Sequence, residues 1–408
     1  MWRFPQSPKH CCIYRVPNRI RRFNPEAYTP QLVIIGPLHH SLKSEALKSR
    51  GDITNTKSMG YLNMEELKKI YLVEFTRRLG EIGEGTIDGF RRIIEKEEET
   101  IRESYSESTA WIQSPEFVEM VLHDSVFILE FFLRSSKQGC GKIGDPLMDE
   151  PCLQNTVLED LILLENQLPY FILKKLFDPL FPNDTFRELV IIHFDLKDKI
   201  GDKSEFRHFT DLVRCVRVEK IPERKSEPIK QMYTAEKLDC GGVKFEVLEK
   251  EFTLYVRFEN GCLKMPCLRV DDGIEMKLRN IMALEQCHYS CNTYICDFII
   301  FLDYLIDTDK DVELLVEKGI IENWLGQHGL VAEMVNKLSL GILDGGSSYS
   351  DIADQIHTHY TSPVNKSWAI LKRVYFGNLW TGTATVVATF LLLMTLIQVV
   401  TSIIQVMP

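Results

Sequence analysis

The chain has 408 residues, of which 48 are Lys or Arg and 58 are Asp or Glu, for a net charge of −10. With 45% hydrophobic and 26% charged residues it is neither wholly disordered nor a polytopic membrane protein, and its acidity argues against general nucleic-acid binding. That length builds one large domain or two ordinary ones.

Residues 11–40 read as extended, proline-punctuated chain, because Pro17, Pro25, Pro30 and Pro37 each disfavour helix at the preceding residue. Leu32-Val33-Ile34-Ile35 predicts one buried strand or extended segment, and a polar stretch to about Gly60 predicts loop. Asn63, with Glu66 three residues on, predicts a capped helix start. Residues 87–105 predict a surface amphipathic helix. Ser114-Pro115-Glu116 opens a helix to about Arg134 that is apolar nearly all round, the expected core helix. Loop is expected over 135–155, then helix over 156–177, which Pro169 should kink or divide.

The polar stretch 201–240 reads as a long loop and the expected internal joint. Alternation from Phe252 to Phe258, then Asn260-Gly261 and Cys262–Met265, predicts a β-hairpin. Helix returns over 274–307, near 310–318 and 328–340, and from about Asp351 towards the C-terminal end.

No Asp, Glu, Lys or Arg follows Arg373. Residues 383–406 as helix measure about 36 Å, against roughly 30 Å for a bilayer's hydrocarbon core. Lys372 and Arg373 flank this run on one side only, with Tyr375 and Trp380 where an interfacial aromatic belt falls. The expectation is a single-pass C-terminal anchor over 379–407, with residues 1–373 forming a mostly helical cytosolic body. Residues 1–31 hold six basic residues but no secretory apolar run, and Gly does not follow Met1, which fits that placement. Which membrane, plasma membrane or endomembrane, stays open.

The 11 cysteines form no C-x-x-C pair. Cys287, His288 and Cys291 have a spacing that fits zinc, but small buried hydrophobes are the expected reading, so no metal or cofactor is assigned. Asp307, Asp309 and Asp311 lack the Gly and Glu a calcium loop needs, having Val312 and Lys318 there. No phosphate loop, nucleophile elbow or H-E-x-x-H occurs. His39-His40 could serve acid–base chemistry, yet adjacent residues of an extended segment face opposite ways. Glu165-Asn166-Gln167, among leucines, reads as a satisfied polar network beside Pro169.

Several strings carry a resemblance: Ile13-Tyr14-Arg15-Val16-Pro17, Asn24-Pro25-Glu26-Ala27-Tyr28-Thr29-Pro30 and Ile35-Gly36-Pro37-Leu38-His39-His40, then Leu163-Leu164-Glu165-Asn166-Gln167-Leu168-Pro169. Leu268-Arg269-Val270-Asp271-Asp272, Asn280–Cys287, Asp311–Leu315 with Gly319-Ile320-Ile321, and Trp324-Leu325-Gly326 follow in the same order. Over nearly its whole length the chain resembles the plant family known as domain of unknown function 247. The chain has Asp124-Ser125-Val126-Phe127 where family members usually read Asp-Gly-Cys-Phe, so a family thiol is missing. The resemblance implies a helical body with a C-terminal membrane helix and no established enzyme activity. Some grass members are implicated in pollen self-incompatibility as recognition determinants.

The reading that follows is a membrane-anchored, non-catalytic recognition, signalling or scaffold protein with an unidentified protein partner. In it Arg15, Pro17, Pro25, Tyr28, Pro30, His39 and His40 form a structural strap whose backbone is satisfied by Glu165, Asn166 and Gln167. The alternative is an enzyme with a site built from residues 32–40 and 163–170. A self-incompatibility determinant is a further alternative.

Overall fold

Proline spacing governs the first stretch of the chain. In the computed structural model, which describes residues 10–48, 56–82, 87–136, 144–181, 185–196, 205–218, 227–248, 254–343, 345–365, 367 and 379–406, only helix α1 (Asn18–Arg21) and a 3₁₀ turn (Pro25–Tyr28) interrupt an extended course to Pro37. Leu32–Ile35 pairs with no strand among the described residues. Helices α2 (His40–Lys48) and α3 (Thr56–Ile82) then occupy ground expected to be loop, and Asn63 lies inside α3 rather than capping it. The cause is a stripe that starts earlier than the cap signal: Tyr61, Met64, Lys68, Tyr71, Phe75 and Leu79 are all buried at spacings of three and four.

The amphipathic α4 (Ile87–Glu103) and the apolar α5 (Ser114–Ser136) form as their patterns predict. Phe117, Val121, Phe127, Phe131 and Phe132 of α5 are fully buried, and the helix packs against α3 and α4. Its buried Glu130 receives two bonds of 2.9 Å from Arg78 and a third from Arg134.

The stretch expected as loop holds α6 (Pro146–Asp149) and α7 (Pro151–Asp160), each opening on a proline at the position where its missing N–H is harmless. The chain then turns irregularly to Pro169, which divides the expected helix, and α8 (Tyr170–Phe177) begins beyond it. A capping box of Thr185 and Glu188 starts α9 (Phe186–His193), and α10 (Phe209–Val218) lies within the expected long loop, with Phe209 and Leu212 buried on its apolar face.

Next come α11 (Ala235–Cys240), strands β1 (Lys244–Val247), β2 (Arg257–Glu259), β3 (Cys262–Met265) and β4 (Leu268–Val270), then α12 (Ile274–His288), α13 (Tyr294–Leu305) and α14 (Asp309–Glu317). Strand β5 (Ile321–Asn323), α15 (His328–Leu338), α16 (Ser350–Thr361) and α17 (Leu379–Val406) complete the described chain. Helix α16 stops at Thr361, where Ser362-Pro363 ends the run expected to continue to the anchor.

The chain divides into two compact units. The first holds residues 1–222, 271–299 and 336–343. Its core is built around α5, and α12 packs against α10 and the 3₁₀ turn. The second holds residues 223–270, 300–335 and 344–408. In it β3 lies between a parallel β1 and an antiparallel β2, and β4 pairs in parallel with β5. Asp311 is the N3 member of a capping box with Thr308 and also accepts from the Glu236 N–H at 3.0 Å, so this acidic run closes a helix end. The 20 residues Thr383–Ser402 of α17 have mean hydropathy 2.1 and are 0% buried, so this helix is long and apolar enough to cross a membrane.

The hairpin turn is as its sequence predicts: Glu259 pairs with Cys262, and Asn260 and Gly261 have φ of 51° and 74°. A Cβ on Gly261 would sit 2.7 Å from the His359 ring. Gly261→Val is therefore expected to lower stability by about 2–5 kcal/mol, combining left-handed strain with overpacking. Gly329, with nothing within 4 Å of its virtual Cβ, is the control. An unchanged thermal midpoint for Gly261→Val would contradict this turn.

Candidate functional site

Outside α1 and the 3₁₀ turn, segment 11–40 is extended and largely buried, so its backbone groups need partners other than helix or sheet. Buried side chains of the first unit supply them. Both Asp160 oxygens are used, one by the Gln31 N–H (2.8 Å) and the other by those of Leu32 (2.7 Å) and Val33 (2.8 Å). The Asn166 side-chain oxygen accepts from the Ile35 N–H at 2.7 Å, while its nitrogen donates to the Val33 and Asp160 carbonyls at 2.9 and 3.0 Å. The Gly36 N–H donates to Asp124 at 2.8 Å, and Lys68 bridges Asp124 (2.6 Å) and the Ile34 carbonyl (2.5 Å). Asn280 joins two segments, donating to the Ala27 carbonyl at 2.7 Å and accepting from the Leu164 N–H at 2.9 Å. Gly36, at φ 70°, could carry no side chain, since a Cβ would lie 2.5 Å from the Gln167 carbonyl oxygen.

Glu165 holds the other end of the segment. Its fully buried carboxylate accepts from the Val16 N–H at 2.5 Å, from Arg15 at 3.2 Å and from Arg21. Arg15 also reaches Glu107 and the Leu38 carbonyl, both at 2.9 Å. Two guanidinium groups thus face two carboxylates. His39 Nε2 lies 3.5 Å from Glu165. Burial first, then the nearby Arg15 and Arg21, pulls the His39 pKa down to about 3, so this imidazole is neutral at pH 7. Burial also pushes Asp160 up to about 6, against the pull of its three N–H donors.

The paired histidines diverge. His40 lies 3.3 Å from Glu116 and meets the Trp111 ring edge-on at 5.2 Å, outside the Glu165 cluster. Gln167 also departs from expectation. It bonds the Leu161 and Leu163 carbonyls of its own turn and accepts from the Phe209 N–H. Pro17 and Pro25 precede or open the two short helical turns, Tyr28 is fully buried with Arg21 over its ring, and the Pro30 carbonyl accepts from Tyr61 at 2.5 Å. Lys372, Arg373, Tyr375 and the Trp380 side chain lie outside the described residues.

Sequence reading missed Asp160, Asp124, Lys68 and Asn280. An Asp among the apolar residues of α5 and a Lys within the buried stripe of α3 were the available signals, since buried charges occur only with partners. His288 engages Tyr14 at 2.9 Å and Arg207 at 2.7 Å, and no group of three metal-ligating side chains gathers among the described residues. A cleft of about 250 Å³ is lined by Glu26, Glu159, Asp160, Asp272 and Glu275, but by neither histidine and neither Glu165 nor Asn166.

Three comparisons bear on this arrangement. A family described as "Plant protein of unknown function" (DUF247) matches residues 13–394. A UPF0481 protein of Arabidopsis thaliana is 26% identical over 95% of this chain and 85% of its own length. A second UPF0481 protein of that plant is 26% identical over 40% of the chain and 31% of its own. No solved structure gives a significant match.

Two outcomes are expected from this geometry. Asn166→Asp changes one atom yet turns a donor to two buried carbonyls into an acceptor, so it should cost about 2–5 kcal/mol in chemical denaturation. His40→Ala, at the periphery, should cost under about 1 kcal/mol.

A third outcome concerns pH. Unfolded His39 titrates near 6.5, so between about 6.5 and 3 the unfolded chain binds a proton that the folded chain refuses, and stability falls as pH falls. His208, pulled down to about 4 by burial, acts in the same sense. Asp160 acts oppositely: its folded state keeps a proton up to about pH 6, so its contribution falls as pH rises from about 4 to 6. The loss of stability from pH 7 to pH 5 should accordingly be smaller in His39→Gln than in the parent, by about 2 kcal/mol. Equal losses would contradict a buried neutral His39.

Proposed function

Because the chain belongs to the DUF247 family of plant proteins of unknown function, we propose that it is a non-catalytic protein, anchored by α17, whose cytosolic body acts by binding another protein. The observation that carries this reading is the use made of the residues in the strings that carry the resemblance. Glu165, Asn166 and Arg15 are bonded to one another, to Arg21 or to backbone, and His39 is buried and neutral at pH 7. A general base must reach a substrate's proton at a pKa near the working pH, and His39 meets neither need. His40 is directed to a different neighbour.

Exposed aromatics favour binding over chemistry. Trp111 in the first unit and Trp324 in the second are 60% and 63% exposed, and Arg269 stacks on the Trp324 ring at 3.7 Å. Tryptophan and arginine are the residues that dominate protein–protein contact energies. The anchor is supported by α17, which carries no formal charge, and the Lys366, Lys372 and Arg373 that precede it favour a cytosolic body.

Alkaline carbonate should leave the full-length protein in the membrane pellet, and deletion of 374–408 should release a folded, soluble body. Extraction of the full-length protein by carbonate would contradict the anchor. His40→Ala decides between binding and catalysis, because it is expected to fold normally. It should restore function when expressed in plants lacking the gene; a stable, folded His40→Ala that fails to do so would favour the enzyme.

A further inference from the structure

We propose that α17 pairs in the membrane with α17 of a second copy of this chain, through the face carrying Ala384, Ala388, Leu391, Thr395, Gln398 and Ser402. The inference rests on the reading of α17 as a bilayer span. These six residues follow one another at spacings of four, three, four, three and four, the repeat that keeps one seam facing a partner helix. The opposite face carries Val386, Leu393 and Val400, bulky apolar side chains suited to lipid.

Gln398 sets this face apart. The helix satisfies its threonines internally: Thr389, Thr395 and Thr401 donate to the carbonyls of Thr385, Leu391 and Ile397 at 2.8, 2.8 and 2.9 Å. The Gln398 amide has no such partner among the described residues and is exposed. It stands eight residues before Val406, about 12 Å along the axis from that end, within the apolar run. An unpaired amide in hydrocarbon is costly, and no water is at hand to pair it.

The chemistry points to a second copy. An amide both donates and accepts, so two amides can close on each other. Chains inserted with one topology lie parallel, and a two-fold axis between them sets each residue opposite itself, Gln398 facing Gln398. Ala384 and Ala388, one turn apart on the same face, let the backbones approach closely near the body end.

The test uses full-length protein, donor- or acceptor-labelled at its N-terminus, in phosphatidylcholine vesicles at falling protein-to-lipid ratio, after carbonate washing. Energy transfer should titrate with dilution. Gln398→Leu should weaken association roughly three- to tenfold, while Leu393→Ala on the opposite face should leave it unchanged. Protein that resists carbonate yet shows no transfer at any ratio would overturn the pairing and leave the anchor standing. So would equal weakening by Leu393→Ala, or full transfer in Gln398→Leu. Release by carbonate would overturn anchor and pairing together.

Discussion

Buried backbone that is neither helix nor strand must have its polar groups satisfied by side chains, and much of residues 11–40 outside α1 and the 3₁₀ turn is such backbone. Four prolines keep helix away from most of it, and the apolar Val33, Ile34 and Ile35 draw it inside. The arrangement then requires acceptors where the N–H groups point. Asp160, Asn166, Asp124 and Glu165 occupy those places, and Lys68, Asn280 and Tyr61 meet the carbonyls. Of the polar residues that stand out in the sequence, Glu165 and Asn166 are among those that bond the segment's backbone.

This need explains why so much charge is buried. Asp124 and Lys68 neutralise each other while each also bonds the segment's backbone. Burial alone would pull Lys68 down, but Asp124 and Glu65 hold its pKa above the ordinary lysine value, so it stays charged. Removing one member of such a set leaves its partner buried and unpaired, which costs more than the pair contributes. A second buried pair on α12 repeats the pattern: Glu285 accepts from Arg214 at 3.0 Å and from the Ile295 and Cys296 N–H groups at 2.9 Å.

Much of this was legible in the sequence. Pattern located α4, α5 and the Asn260-Gly261 turn because each rests on local chemistry: a periodic stripe, a proline-led start, and two residues able to take positive φ. The need of the strap for Glu165 and Asn166 followed from the general requirement for paired backbone. The missed helices α2, α6, α9 and α10, and α7, of which only the second half was expected, are four to ten residues long, too short for the period of an apolar stripe to stand out. The partners Asp160 and Asn280 were missed for another reason. Their contacts join residues 127 and 253 positions apart, a relation no local pattern contains.

The central claim is that Asp160, Asn166 and Glu165 hold the 11–40 segment in place. Hydrogen–deuterium exchange read over residues 31–36 measures this directly. The account requires slow exchange there in the parent, and loss of that protection in Asp160→Ala while α5 remains protected. Rapid exchange over 31–36 in the parent, or protection unchanged in the variant, would contradict it.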